Sequence, residues 1–236
     1  MAQSERAVKV LVLDVGGTHV KVFAAGHPVP VRIDSGTSMT ARKMVKDVKR
    51  VTADWNYDAV SIGFPGPVVH GRPVAEPRNL GSGWVGFDFQ KAFGRPVKVA
   101  NDAVLQAIGD YHGGRMLFLG FGTGLGTAMI IDGVIEPMEF GHLPYKKGRT
   151  YEDYVGTRGL ERRGKKKWRQ SVIDVSERIR AALQADEVVI GGGNAKLLDE
   201  APTGTRLAGA NNAYRGGVRL WRGDKPALKR TAERVR

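Results

Sequence analysis

The chain has 236 residues, with 37 Lys+Arg against 24 Asp+Glu and no cysteine, which excludes a disulfide framework and any thiolate metal site. Hydrophobic residues at 42% and charged residues at 26% are ordinary for a globular protein, and no apolar run approaches the roughly 20 residues that span a bilayer. The net charge of +13 is confined to two blocks, 143–180 and 215–236, the remainder being balanced; such blocks are either solvated basic faces or docking surfaces for nucleic acid, polyphosphate or a membrane.

Val8–Leu13 and His19–Ala25 read as a hairpin, with Val29–Ile33 as a third strand. Ser38–Trp55 is an amphipathic helix with Met39, Met44, Val45, Val48, Val51 and Thr52 inward, capped by Ser38 or Thr40. Ala59–Phe64 is a buried strand running into Pro65-Gly66-Pro67. Phe87–Phe93 is a short helix closed by Gly94, and Val97–Ala100 is a strand. Asn101-Asp102 stand where that strand passes into a helix, Ala103–Tyr111. Met116–Phe121 and Thr127–Ile131 are strands flanking a glycine turn, and Lys166–Gln184 is a long basic helix. Glu187–Ile190 is a strand, and Gly191–Asn194 turns into a last short helix. Strands before helices, in two similar halves, predict an α/β fold. The boundary is expected near Asn101-Asp102, giving a small lobe 1–101, a larger lobe 102–221, and a tail 222–236 that completes the first. The polar Met1–Arg6 and the short Val8–Leu13 run are unlike a signal peptide, so a cytoplasmic location is expected.

Two turns carry the first chemical signal. Asp14-Val15-Gly16-Gly17-Thr18 and Gly120-Phe121-Gly122-Thr123-Gly124-Leu125-Gly126 each join consecutive strands. Without a Cβ, their main-chain N–H groups can approach an anion closely. Thr18 and Thr123 add hydroxyl donors, and Asp14 adds a carboxylate suited to a phosphate-bound magnesium, held through water. Any hairpin can contain one glycine turn; the pair suggests two lobes gripping one phosphate chain.

These turns, with Gly63-Phe64-Pro65-Gly66-Pro67-Val68, Asn101-Asp102, Glu139-Phe140-Gly141-His142 and Gly191-Gly192-Gly193, stand in the order of the sugar kinases of the actin/hexokinase superfamily. The chain resembles the repressor, open-reading-frame and kinase (ROK) branch. Its stretch Gly141–Gly156, together with Gly217-Val218-Arg219-Leu220-Trp221, is most similar to the polyphosphate glucokinases. That resemblance implies a two-lobed ribonuclease-H-like, actin-like ATPase fold with an interdomain active-site cleft.

The resemblance also implies site roles. Asp102 is the catalytic base that takes the proton of a sugar hydroxyl, although an acidic residue before a helix is also an ordinary cap; Asn101 can fill that role. Gly66, Asn79, Asn101, Asp102, Glu139, His142 and Glu152 line the sugar pocket. Asp14, Gly16, Gly17, Thr18, Gly122, Thr123 and Gly124 hold the donor phosphates. Gly191, Gly192 and Gly193 resemble an adenine-supporting loop, and also suit a plain strand-to-helix turn. Trp84 is either near the pocket or in the core. Many relatives carry a cysteine zinc knuckle after the Gly-His pair; this chain has no cysteine, so no zinc is expected and His142 is left to bond the sugar.

The expected reaction is transfer of a phosphoryl group from inorganic polyphosphate, with ATP as the other donor, to the 6-hydroxyl of glucose, assisted by magnesium. Lys165, Lys166 and Lys167 are expected to track polyphosphate, which has many charges and no base to stack. Alternatives are an ATP-dependent hexokinase for glucose, mannose or an amino sugar, and a non-catalytic sugar-sensing regulator. A regulator would need a helix-turn-helix ahead of Val8. A homodimer is expected, with no membrane partner. Nucleic acid is disfavoured, because Trp168 is the lone aromatic within the densest basic run.

Overall fold

The computed structural model describes residues 7–222. They divide into two units: one takes the chain through Leu105 together with the segment beginning at Ala213, and the other is Gln106–Asn212.

The first unit opens with β1 (Val10–Val15), β2 (His19–Ala24) and β3 (His27–Asp34), followed by helix α1 (Ala41–Val51). β4 (Ala59–Phe64) leads into a small hairpin, β5 (Val68–Val69) and β6 (Arg72–Pro73). Helix α2 (Phe89–Phe93) precedes β7 (Val97–Asn101), which runs straight into helix α3 (Asp102–Asp110). The sheet order is β3-β2-β1-β4-β7. β1 pairs antiparallel with β2 and parallel with β4, and β4 parallel with β7. Helix α1 is shorter than its pattern suggested. Thr40 caps it by accepting the Lys43 N–H at 3.2 Å, so Ser38 is left outside. Its Met44, Val45 and Val48 are buried in the sheet core with Leu11, Leu13 and Ile62, and each such side chain contributes about 1.5–3 kcal/mol on burial. Trp84 is a core residue: fully buried, it packs 5.5 Å from Phe64 and donates Nε1–H to Gly81 O at 2.8 Å.

The second unit repeats this plan. β8 (Arg115–Phe121), β9 (Leu125–Ile131) and β10 (Val134–Met138) form a meander. A 3-10 turn at Phe140–His142 and the hairpin β11 (Pro144–Lys146) with β12 (Arg149–Thr150) lead to α4 (Glu152–Val155). Then come α5 (Thr157–Leu183), β13 (Glu187–Gly191), a 3-10 turn at Ala195–Leu197 and β14 (Thr205–Leu207), after which α6 (Asn212–Arg219) belongs, from Ala213 on, to the first unit. The order β10-β9-β8-β13-β14 matches the first sheet strand for strand.

The structure differs from the sequence reading at several points. α5 begins nine residues before Lys166; its first two turns were hidden because Gly164, with φ 75° and ψ 160°, breaks the periodicity with a kink. The short helix expected after Gly191–Asn194 is a single 3-10 turn, and the last α-helix is α6. The division falls within α3, after Leu105, because Leu105 packs into the Val10, Val12 and Phe23 cluster of the first unit. Asp102 therefore belongs to the first unit.

The segment that returns to that unit is the one from Ala213. Ser61 Oγ donates to Gly217 O at 2.7 Å and accepts Trp221 Nε1–H at 2.9 Å, while the Lys98 ammonium lies 4.5 Å from the centre of the Trp221 ring. Residues 223–236 of the expected tail lie outside the described residues. Among the described residues no helix is long and apolar enough to cross a membrane.

Candidate active site

In the first unit the parallel register aligns Asp14 with Gly63, and Gly63 with Ala100, at the C-terminal ends of β1, β4 and β7. Open α/β sheets present ligand groups at such ends. Asn101 caps α3: its Oδ1 accepts the Ala103 and Val104 N–H groups at 2.9 and 3.3 Å. Its amide donates to Gly66 O at 3.1 Å, which ties the Pro65-Gly66-Pro67 break to the helix start. Asp102 sits one residue further on, half-buried, with Oδ1 accepting the Ala103 N–H at 2.8 Å. A Cβ on Gly63 would lie 3.4 Å from the Asp102 Cα, so glycine there lets β4 press against the base of α3.

The first glycine turn is closed by the Gly16 N–H on His19 O at 2.9 Å, and Ser35 donates its hydroxyl to Gly16 O at 2.6 Å. Thr18 is exposed at its tip. Asn79 is brought against this turn, its Cβ 3.1 Å from where a Gly17 Cβ would stand. Asp14 is nearly buried, and Lys21, its cross-strand neighbour, donates to its Oδ2 at 3.0 Å. Sequence reading missed Lys21; its signal was the two-residue turn, which places position 21 opposite position 14. Among the described residues no cluster of three or more His, Asp or Glu stands ready to cage a metal. Asp14 can serve as one carboxylate beside phosphate and water oxygens, the set magnesium ordinarily takes.

In the second unit Thr123 is exposed at the tip of the second turn, where the Gly122 N–H bonds to Gly124 O at 3.1 Å. The Glu152 carboxylate lies between two glycines: its Oε2 would collide with a Cβ on Gly124 and stand 3.4 Å from one on Gly141. Glu152 is set there by a capping box. Asp153 Oδ2 accepts the Thr150 N–H at 3.0 Å and the Thr150 hydroxyl at 3.1 Å, and the Asp153 N–H reaches back to Thr150 Oγ1 at 3.4 Å. The backbone N–H of Thr150 holds the Asp153 carboxyl below its ordinary range. Glu139 and His142, both exposed, bracket the 3-10 turn after β10, where the His142 N–H points back to Glu139 O at 3.4 Å.

The glycines of 191–193 divide by environment. Gly191 packs against the Phe118 ring, and Gly192, with φ +84°, packs against the Phe121 backbone so closely that no Cβ fits. Gly193 alone of the three faces open space. The loop's main polar contacts run to the second glycine turn: the Asn194 N–H donates to Phe121 O at 2.9 Å and its side-chain amide to Gly122 O at 3.0 Å.

Lys165, Lys166 and Lys167 are exposed just after the α5 kink. They fan around the helix, and Lys165 leans toward Asp199 at 3.9 Å, beside the Arg169–Asp199 pair. The neighbouring arginines have structural tasks: Arg162 donates to Asp153 O at 2.7 Å, and Arg163 stacks 4.7 Å from the Tyr154 ring centre.

The family model of the ROK family matches residues 10–190. The chain belongs to the ROK family. Among its ROK relatives, the polyphosphate glucokinase of Mycobacterium tuberculosis (strain H37Ra) is 28% identical over 210 residues, covering 80% of this chain and 78% of that protein. A glucokinase of Pyrobaculum calidifontis is 31% identical over 140 residues, covering 54% of this chain and 45% of its own length. The crystal structure of an inorganic polyphosphate/ATP-glucomannokinase from Arthrobacter sp. strain KM superposes with a TM-score of 0.75 at 24% identity, covering 89% of this chain and 96% of that one. That likeness establishes the fold, the mixed α/β architecture with two sheets found in ROK sugar kinases.

Proposed function

We propose that this ROK protein is a glucokinase transferring a phosphoryl group from inorganic polyphosphate, and from ATP, to the 6-hydroxyl of glucose. The observation that carries the reading is the place of Asp102, where β7 runs into α3 at the C-terminal edge of the first sheet. Asn101 caps α3 with two accepted amides, and the neighbouring Asp102 carboxylate, whose Oδ1 also accepts the Ala103 N–H, stands at the C-terminal edge of the sheet, where open α/β sheets present ligand groups. In this reading Asp102 accepts the hydroxyl proton as the phosphoryl group arrives. Glu152, Glu139, His142, Asn79, Asn101 and Gly66 bind the sugar hydroxyls, carboxylates being favoured because each accepts two O–H bonds.

The two glycine turns hold the donor phosphates with main-chain N–H groups and the Thr18 and Thr123 hydroxyls. Asp14 would hold magnesium through water, and the ion when bound neutralises phosphate charge. Lys21 meanwhile balances the Asp14 carboxylate. The exposed Lys165–Lys167 run supports polyphosphate as donor, since a long anion engages cations beyond the reacting phosphates. Two relatives named above bear polyphosphate in their names. The open side of Gly193 favours ATP as a second donor, as in an ATP-dependent hexokinase for glucose, mannose or an amino sugar. We place the enzyme in the cytoplasm.

The test is a coupled assay for glucose 6-phosphate with polyphosphate and ATP supplied separately. Product from polyphosphate establishes the donor; product from ATP alone leaves a ROK hexokinase; none with any sugar overturns the reading.

A further inference from the structure

The carbonyl of Gly122 receives three hydrogen bonds, one from a main-chain N–H and two from side chains, all far away in sequence. The Thr157 N–H donates to it at 3.0 Å, the Thr157 hydroxyl at 3.1 Å and the Asn194 side-chain amide at 3.0 Å. Asn194 also donates to the Thr157 hydroxyl at 3.3 Å, closing the triangle. A carbonyl offers two lone pairs, so this one is saturated and its peptide group cannot rotate without breaking all three contacts.

That constraint has a consequence on the other side of the peptide bond. In a planar trans peptide the C=O of one residue and the N–H of the next point in opposite directions. Drawing the Gly122 oxygen toward Thr157 and Asn194 therefore aims the Thr123 N–H away from them, at the exposed tip of the turn, where it meets no protein acceptor among the described residues. Donors on the oxygen also polarise the amide, making the N–H a stronger donor.

We infer that Thr157 and Asn194 are positioning residues for the phosphoryl donor: by pinning the Gly122 carbonyl they aim and strengthen the Thr123 N–H toward a donor phosphate oxygen. This rests on the kinase reading above and deepens it. Neither side chain touches the donor. They act through one peptide group, and α5 and the 191–194 loop become part of the phosphate cradle.

The variants Thr157→Val and Asn194→Ala each remove one contact to the Gly122 carbonyl, and with it the bond between the two side chains, while keeping the Thr157 and Asn194 main-chain bonds, so the local fold has its other anchors. Each is expected to raise the donor KM roughly five- to tenfold, with the glucose KM within about twofold of wild type. Thr157→Ser, which restores the hydroxyl, recovers the donor KM. A second measurement needs no turnover: in 15N-labelled protein, tripolyphosphate shifts the Thr123 amide resonance of the wild type and shifts it less in Thr157→Val. A donor KM unchanged in both variants, a glucose KM rising in step with it, or a wild-type Thr123 amide indifferent to tripolyphosphate overturns the inference. A wild type that phosphorylates no sugar overturns the kinase reading instead, and the resonance measurement still decides the positioning role.

Discussion

Gly124→Ala is a one-methyl perturbation with a defined target. The Gly124 backbone is outside the left-handed region, so alanine meets no conformational penalty there. The added Cβ would strike Glu152 Oε2 and stand 3.4 Å from its Cδ. The Glu152 main chain cannot retreat. Its carbonyl accepts the Gly156 N–H at 2.8 Å, and the preceding Tyr151 donates to Leu143 O at 3.1 Å. The carboxylate alone must swing, by about 1 Å, and misplacing a substrate-orienting group by that much costs on the order of 10²-fold in rate. Glucose kinetics should therefore show kcat/KM down by about 10²-fold, with the melting temperature little changed because the clash falls on a partly exposed side chain. The reasoning requires that the effect pass through Glu152. In a Glu152→Ala background, Gly124→Ala should add almost nothing, since the group it displaces is gone. If the double variant is worse than Glu152→Ala by the full factor seen in the single variant, Gly124 acts on the phosphate turn itself and the steric argument is refuted.

Three further outcomes are expected. Asp102→Asn should lower kcat by about 10²-fold or more with glucose affinity nearly intact, as for a lost general base; turnover within about threefold of wild type in a stopped assay would remove Asp102 from the chemistry. Neutralising Lys165, Lys166 and Lys167 together should raise the KM for long polyphosphate and spare ATP, and the wild-type preference should fade with salt as the Debye length drops from about 10 Å at 0.1 M to about 3 Å at 1 M; equal loss of both donors would make the run structural. Acid should unlatch the β11–β12 hairpin. Burial opposes the Asp174 charge, yet hydrogen bonds from Tyr145, Lys146 and Arg178 together hold its carboxyl below the ordinary value of 3.8. A depressed carboxyl adds stability that is full above the unfolded-state value and lost as pH falls through the folded one. Thermal melts at about pH 7 and about pH 3 should therefore differ less in Asp174→Asn than in wild type; an identical pH response would show that this latch does not contribute.

What the sequence determined by itself were features whose physics is local. A glycine pair after an apolar run makes a tight turn whatever surrounds it, and Asp88 and Gly94 bound α2 with caps that need only neighbouring residues. Asn101 is likewise legible as a cap, since the N–H groups its Oδ1 accepts are two and three residues away. The likeness of the two halves along the chain was legible because strand and helix patterns are set by short-range periodicity. Short edge strands escaped for the opposite reason: β10 carries Pro137, tolerated where one side of a strand is unpaired, and β5, β6, β11, β12 and β14 are too short to show a period.

Only the tertiary structure decided which groups meet. Asn194 and Gly122 are 72 residues apart, Ser61 and Gly217 are 156 apart, and nothing in the local sequence of either partner announces the other. The same holds for Glu152 lodged between Gly124 and Gly141, and for Asn79 against Gly17. Contacts of this kind depend on the summed packing of whole sheets and helices, and packing selects partners by shape and reach rather than by spacing along the chain.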